Sequence, residues 1–507
     1  MPTFAAVDIG SNSVRLEIAK TNGGRLQKLH EDREVTRLGE SVFRSGSFSP
    51  EAMEHTIVVL RRFHRAVQQF AADRVRVVAT SATRNARNAE VFRELVHAAT
   101  GWRLEVISGL EEGRLIHLGV MSGTRLSASA ALLVDLGGGS CELTFSRDHH
   151  IEQMVSLPVG AVRLTQEFLQ HDPPKRKELA RMRQFIQEEL GRAQRYFNTA
   201  KIRAVIATSG TAAALQAAWV AETPRETRTV PTSGVRALTA KLERMDLRQR
   251  RAIVGIGPRR AEIIIAGASV FAELLSRFRL PSIRYSPLGL RDGLLAQMAA
   301  DYAPSEQLRT RIAVERTDAI TAMCRHYHVD VKHAGRVRRM AERLFTSLTS
   351  LHKLAPQYKD WLSAAAMLHE VGGFINRSGR HRHTHYVIAH SDIFGYTPAE
   401  RHLIAAIARF MGKTRPQPTS TALGLVASGE RASIPAAVAL LRLAKALDQS
   451  RGGRVLGFTV RRSANTIKLV LKTRRSAELE LWAVDKERIY FREVFGWDLI
   501  VSQAEHK

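Results

Sequence analysis

Apolar and polar positions in the first 300 residues switch repeatedly between two periods. FAAVDI (4–9), RVRVVAT (74–80), LEVIS (104–108), AALLVDL (130–136) and IRAVIAT (202–208) are short apolar runs of strand length. Between them apolar residues recur near helical spacing. After the helix start Ser49-Pro50-Glu51 come Ile57, Leu60, Phe63, Val67 and Phe70. Ser81-Ala82-Thr83-Arg84 opens the helix around NAEVFRELV, LEVIS feeds GLEEGRLIHLGV, and IRAVIAT feeds SGTAAALQ. Strands alternating with helices predict an α/β architecture. The pattern changes near Tyr302-Ala303-Pro304-Ser305, and from there to about 450 it is nearly all helical, with His333, Val337, Met340, Leu344 and Leu348 on one stripe. After Gly452-Gly453 it changes again. NTIKLVLKT alternates Ile467, Leu469 and Leu471 with lysines, and AELELWAV sets Leu479 and Leu481 on one face, so the last fifty or so residues read as β-rich.

One motif occurs twice. Asp8-Ile9-Gly10-Ser11-Asn12-Ser13 is echoed by Asp135-Leu136-Gly137-Gly138-Gly139-Ser140. Each copy follows an apolar strand and precedes an alternating one, which predicts two similar lobes presenting the same turn.

Composition narrows the class. A chain of 507 residues predicts two to four domains, and 44% hydrophobic with 25% charged residues is ordinary for globular proteins. No window approaches the roughly 20 apolar residues of a membrane helix, and no secretory leader pattern opens the chain, so no membrane insertion and a cytoplasmic location are expected. Cys141 and Cys324 are too few for a disulfide framework or a cysteine zinc site. Lys and Arg number 76 against 49 Asp and Glu, a net charge of +27 that predicts attraction to polyanions.

The repeated turn suggests chemistry suited to such a partner. Glycine lets backbone N–H groups approach an anion, and hydroxyls add donors. An acid beside such a loop repels phosphate unless a cation lies between them, and Mg2+ takes one or two carboxylates plus phosphate oxygens. Asp8 and Asp135 therefore fit a Mg2+–phosphate clamp. A Walker motif and a strand-coupled G-x-G-x-x-G are both absent, which disfavours P-loop and Rossmann readings. In SGLEEGRLI, Glu111 and Glu112 diverge by about 100° on a helix, so one of them can point into a cleft and act on water. Arg15 follows the first turn, Arg84 opens a helix and Arg260 precedes AEIIIAG; guanidinium forks suit phosphate. Ser209-Gly210-Thr211 starts a helix after a strand and offers a further anion seat.

In order, AVDIGSNSVRL, VATSATRNARN, VISGLEEGRLI, LLVDLGGGSCEL, SLPVGAVRL, ATSGT and SPLGLRDGLL closely resemble the exopolyphosphatase / guanosine pentaphosphate phosphohydrolase family, densely over about residues 4–300 and more loosely to about 450. The resemblance implies two ribonuclease H-like lobes of the actin and sugar-kinase superfamily, 1–122 and 123–302, with the site in the cleft between them. An all-α HD-like domain would follow at 303–452 and a small β-rich domain at 453–507. Glu112 matches the family's catalytic base. Asp135 and Glu142 match acids that hold Mg2+ or another divalent cation, with Asp8 facing them. Gly10, Ser11, Asn12 and Ser13 would form one phosphate loop and Gly137, Gly138, Gly139 and Ser140 the other. Ser81, Ser209, Gly210 and Thr211 would flank them, and Arg15, Arg84 and Arg260 would contact the phosphate chain. Cys141 stands where threonine is usual, and Gly113 where alanine is commoner.

In the helical segment the HD-type resemblance picks out His333, His369-Glu370 and Asp448, with Glu where the pair's Asp should be. That longer side chain implies a structural or substrate-channel role rather than a second catalytic centre. The expected activity is Mg2+-dependent release of orthophosphate from the end of linear polyphosphate. The alternatives are guanosine pentaphosphate hydrolysis at the same site, a non-catalytic regulator binding polyanion or alarmone, and a kinase of the same superfamily. By resemblance a homodimer is expected.

Overall fold

The computed structural model describes the chain except residues 23–24, 124–129, 224–228, 303–305, 392, 413, 464, 474–475 and 505–507. It divides into Met1–Arg311 and Ile312–Lys507. The pattern change expected over 302–305 falls largely on 303–305, outside the described residues.

Within Met1–Arg311 two sheets repeat one topology. The first contains β1 (Thr3–Ile9), β2 (Val14–Asn22), β3 (Arg25–Glu34), β4 (Arg74–Ala79) and β5 (Leu104–Val106), in the order β3-β2-β1-β4-β5. The second contains β6 (Ala130–Leu136), β7 (Cys141–Arg147), β8 (His150–Leu157), β9 (Ala204–Thr208), β10 (Thr229–Pro231) and β11 (Ser282–Tyr285), in the order β10-β11-β9-β6-β7-β8. β1 pairs antiparallel with β2 and parallel with β4; β6 does the same with β7 and β9. Both are central strands covered on two faces, which explains their unbroken apolar runs. Phe4, Ala5, Ala6 and Val7 are buried, as are Leu132, Leu133 and Val134.

The first long helix starts on capping chemistry. Ser49 Oγ accepts the Ala52 N–H at 3.2 Å and Pro50 opens the helix Pro50–Gln69. Its Ile57, Leu60, Phe63 and Val67 pack with Val7, Ile9 and Leu16 in one core beneath the first sheet. After each central strand comes the repeated turn, closed by Gly10 N–H to Ser13 O at 3.1 Å and by Gly137 N–H to Ser140 O at 3.0 Å.

Residues from Ile312 onward form helices and then β12 (Val455–Ser463), β13 (Thr466–Thr473) and β14 (Asp498–Gln503). In β13, Ile467, Leu469 and Leu471 are buried while Lys468 and Lys472 face solvent. They share one core with Val337, Leu344, Leu368 and Leu440 of the helices. AELELWAV corrects the strand expectation, because Glu478–Lys486 is a helix. Ala, Glu and Leu are strong helix formers, and the buried stripe is Glu480, Ala483 and Val484 rather than Leu479, which is 44% exposed. Glu480 Oε1 accepts the Ser450 N–H at 2.9 Å, while its Oε2 is buried without a hydrogen-bond partner. Among the described residues no helix is long and apolar enough to cross a membrane.

Candidate active site

The repeated turns bring two acids into one cleft of about 310 Å3. Strand register gives each a different neighbour. Asp8 on β1 lies opposite Arg15 on β2, whereas Asp135 on β6 lies opposite Glu142 on β7. The same turn therefore sets an acid across from a cation in one sheet and an acid across from an acid in the other.

The acid–acid pair is completed by Glu112 from the helix Gly109–Gly123. One ligand atom from each of Glu112, Asp135 and Glu142 lies within 4.8 Å of the other two. Asp8 lines the same cleft but stands outside this trio. Ser156 Oγ donates to Glu142 Oε1 at 2.8 Å, and Thr208 Oγ1 donates to Asp135 Oδ1. Glu142 Oε2 is buried and has no partner. An all-oxygen, acidic donor set with an orphaned carboxylate oxygen fits a hard divalent cation such as Mg2+.

Burial without such a cation pushes protons onto these acids. Burial raises the Glu112 carboxyl to about 7, against the opposing Arg84 charge and helped by Asp135. Burial, then Glu112 and Asp135, pushes Glu142 well above its usual range. Asp8 and Asp135 are raised by burial too, although Arg15 opposes it at both, after the Thr208 hydrogen bond at Asp135. Arg84 Nη1 donates to Glu112 Oε2 at 3.0 Å and to Ile107 O at 2.7 Å, while its Nη2 lies 3.4 Å from Ser140 Oγ. This guanidinium thus ties Glu112 to the second turn.

Small residues let the turns meet. A Cβ on Gly138 would lie 2.9 Å from Ser11 Cβ, and one on Gly139 would lie 2.5 Å from Ser81 Oγ. Ser11 Oγ and Asn12 Nδ2 are buried donors without a partner, facing the space an anion would fill. Gly160 supports the second turn from behind, where its Cβ would stand 2.3 Å from the Gly139 carbonyl carbon and 2.4 Å from Ser140 N. Backbone cannot yield as a side chain can. Gly160→Ala should displace the loop and lower turnover by about 10²-fold, read as phosphate release, with circular dichroism confirming the fold.

Cations line the same cleft. The side chains of Arg15, Arg33 and Arg260 line the cleft and make no ion pair among the described residues. Burial, then Arg15 and Arg33, lowers Arg260 to about 9; burial, then Arg15 and Arg259, lowers Arg33 to about 10. Arg260 lies over Gly210, where a Cβ would meet its guanidinium. Cations crowded together without an ion-pair partner among the described residues are costly, most of all the buried Arg260, unless an anion joins them.

Most of the predicted residues converge here. Asp8, Gly10, Ser11, Asn12, Ser13, Arg15, Ser81, Glu112, Asp135, Gly137, Gly138, Gly139, Ser140, Ser209, Gly210 and Arg260 line the cleft. Glu142 and Arg84 lie behind this lining, within the carboxylate cluster and bonded to Glu112 respectively. Thr211 does not reach the cleft. It is fully buried against Gly267, whose Cβ would stand 2.7 Å from Thr211 Oγ1.

Sequence reasoning missed Arg33, Ser156, Thr208 and Arg291, the last of which lines the cleft and donates to Glu31 Oε1 at 2.8 Å. Three of these sit inside motifs already singled out, SLPVGAVRL, ATSGT and SPLGLRDGLL. Arg33 had no such signal, because β3 brings it to the cleft only through pairing with β2 opposite Arg15. His333, His369, Glu370 and Asp448 belong to the other unit.

The pattern of the Ppx/GppA phosphatase family matches residues 17–302, and that of Ppx/GppA phosphatase domain III matches 315–487. Over 516 aligned residues the chain is 27% identical to the guanosine-5'-triphosphate,3'-diphosphate pyrophosphatase of Photobacterium profundum, covering 99% of both. Among solved structures, an exopolyphosphatase-like protein is 30% identical with a TM-score of 0.56, covering 59% of this chain and 97% of its own. The Aquifex aeolicus member of the Ppx/GppA family is 30% identical with a TM-score of 0.51, covering 60% and 99%.

Proposed function

The chain belongs to the Ppx/GppA phosphatase family, whose members hydrolyse phosphoanhydride bonds, and from that premise we propose that it releases terminal orthophosphate from linear inorganic polyphosphate. The observation that carries this reading is the cleft's mixed chemistry, a carboxylate trio at a cleft also lined by Arg15, Arg33 and Arg260, which make no ion pair among the described residues. The trio marks where a phosphoanhydride is cut, and the guanidiniums suit the anionic chain beyond it.

Glu112 takes the proton from the attacking water, as a buried carboxylate near neutrality can. Arg84 holds that carboxylate in place. Backbone N–H groups of the two glycine turns, with Ser11 and Asn12, bind the oxygens of the terminal phosphoryl group. Asp135 and Glu142, with Asp8 nearby, would hold Mg2+, which when bound neutralises charge on the phosphates. Ser156 and Thr208 keep those acids oriented. Such phosphoryl transfer is accelerated mainly by positioning and electrostatics. The ribonuclease H-like description of the lobes, a cytoplasmic homodimer and an HD-like helical unit all belong to this reading.

A second reading, hydrolysis of guanosine pentaphosphate, is favoured by the name of the full-length Photobacterium relative. Phosphate release from polyphosphates of several lengths should be compared with release from guanosine pentaphosphate, with and without Mg2+. Long chains should be the better substrates and should lose advantage as salt rises, since screening weakens attraction to a chain of net charge +27. If long polyphosphate neither releases phosphate nor inhibits pentaphosphate turnover, the first reading fails.

A further inference from the structure

The helix Gly109–Gly123 starts with two adjacent carboxylates that its step of about 100° sends apart. Glu112 faces the cleft, where Arg84 Nη1 donates to its Oε2 at 3.0 Å. Glu111 is spent on another cation. Arg114, one turn further along the helix, donates from Nε to Glu111 Oε2 and from Nη2 to Oε1, each at 2.8 Å. The same Nη2 donates to Gln297 Oε1 at 2.6 Å. Arg114 is fully buried, and Gln297 is buried on the helix Leu290–Tyr302. A guanidinium is thus held between two helices by directed bonds.

Elsewhere these two helices meet backbone to backbone. A Cβ on Gly119 would lie 2.7 Å from Gly293 N, and one on Gly293 would overlap the Leu115 carbonyl oxygen. Such a smooth contact fixes how near the helices come, but apolar burial is non-directional and specifies rotation weakly. A bidentate guanidinium–carboxylate fork is directional. Burying it costs desolvation that apolar side chains of similar volume would avoid, so stability alone gives little reason for it. Neither Glu111, Arg114 nor Gln297 lines the cleft. What the fork can supply is an angle. A side chain reaching about 5–6 Å from the axis moves about 1 Å for each 10° or so of helix rotation. A displacement of about 1 Å costs about 10²-fold in rate when it misplaces a reacting group.

We propose that Arg114, clamped by Glu111 and Gln297, sets the rotation of the helix Gly109–Gly123 and so aims Glu112 at the water it deprotonates. This inference rests on Glu112 being the base. The three are positioning residues, since each acts through Glu112 and none lies at the reacting atoms. The charged groups facing Glu112 are Arg84, Asp135, Asp8 and Glu142. When the helix turns, the Arg84 contact at 3.0 Å is the one lost first, because it alone is a direct bond to the Glu112 carboxylate among these four.

The test uses the full-length chain with Mg2+, thermal melts, and phosphate release from whichever of polyphosphate and guanosine pentaphosphate the wild type hydrolyses. One variant combines Glu111→Leu, Arg114→Met and Gln297→Leu, all strong helix formers. Arg76 nearby keeps its partner Glu105 at 3.2 and 2.7 Å, so no cation is stranded there. This variant should melt no lower than wild type. Its kcat should nevertheless fall about 10²-fold with KM within about twofold. The acid limb of kcat/KM should move up in pH, because Arg84 then opposes less of the burial that raises Glu112. Loss of folded protein alone would not move that limb. Gln297→Met removes one bond at nearly constant size and decides the matter should the triple variant fail to fold; it should show the same split at about 10-fold. Wild-type kcat and an unmoved acid limb in either folded variant would overturn the proposal. Glu112→Gln is measured beside them. Normal turnover there removes the base itself, whereas a slow Glu112→Gln with a normal triple variant keeps the base and removes only its positioning by Arg114.

Discussion

Glu112→Gln should lower kcat for phosphate release by about 10²–10⁴-fold while leaving substrate affinity nearly intact. Glutamine keeps the size of the side chain and can still accept from Arg84, so the tie between Gly109–Gly123 and the second turn survives. What disappears is the basic oxygen. The wild-type carboxyl, raised to about 7 by burial, must be ionised to take a proton from water, so activity rises with pH through its titration. A cation bound among the neighbouring acids pulls that titration below 7. The acid limb of the kcat/KM profile should therefore move down as Mg2+ is added and vanish from the residual rate of the variant. Stopped-flow phosphate release and equilibrium binding of polyphosphate check the two halves. A variant that turns over normally would assign the base elsewhere, and a non-catalytic binder would be indifferent to the change throughout.

How far this site was legible depends on how local its signals are. The twin turns could be read because glycine, a strand-terminal acid and small polar residues must sit together in sequence to make them. Their echo across the chain then pointed to the two sheets whose strand orders match. The asymmetry between them was harder to see. Only the register shows that Arg15 and Glu142 occupy equivalent places, so that one turn faces phosphate with a cation while the other gathers acids. Arg33 was invisible because its place depends on sheet pairing, and Thr211 misled because a hydroxyl at a helix start can turn inward as easily as outward. The segment Glu478–Lys486 shows the same competition, since a few alternating leucines imitate a strand while propensity and burial make a helix. In each case, contacts distant in sequence outweighed the local pattern.

Glu142→Gln should change stability and activity in opposite directions. In the folded chain this carboxyl titrates well above its ordinary value, pushed up by burial and then by Glu112 and Asp135. Between the unfolded and folded values the native state therefore holds a proton that the unfolded chain has released. By linkage, stability from this group is full below its unfolded value and is lost as pH rises toward the folded one. At pH 7.5 and without divalent cations, replacing the acid by an amide removes that penalty, and the variant should be more stable by about 1–3 kcal/mol. Ser156 can still donate to the amide oxygen, so the local geometry is kept. Activity should fall by at least about 10²-fold, because an electrostatic ligand at the reacting phosphate is lost. Mg2+ should raise the melting temperature of wild type more than that of the variant and so narrow the gap, since a ligand stabilises the state it binds. Thermal melts of both proteins with and without Mg2+ make the comparison. A variant less stable than wild type in chelator would mean that Glu142 is held by contacts rather than strained by its neighbours, and the acid trio would then have no standing as a site built around a bound cation.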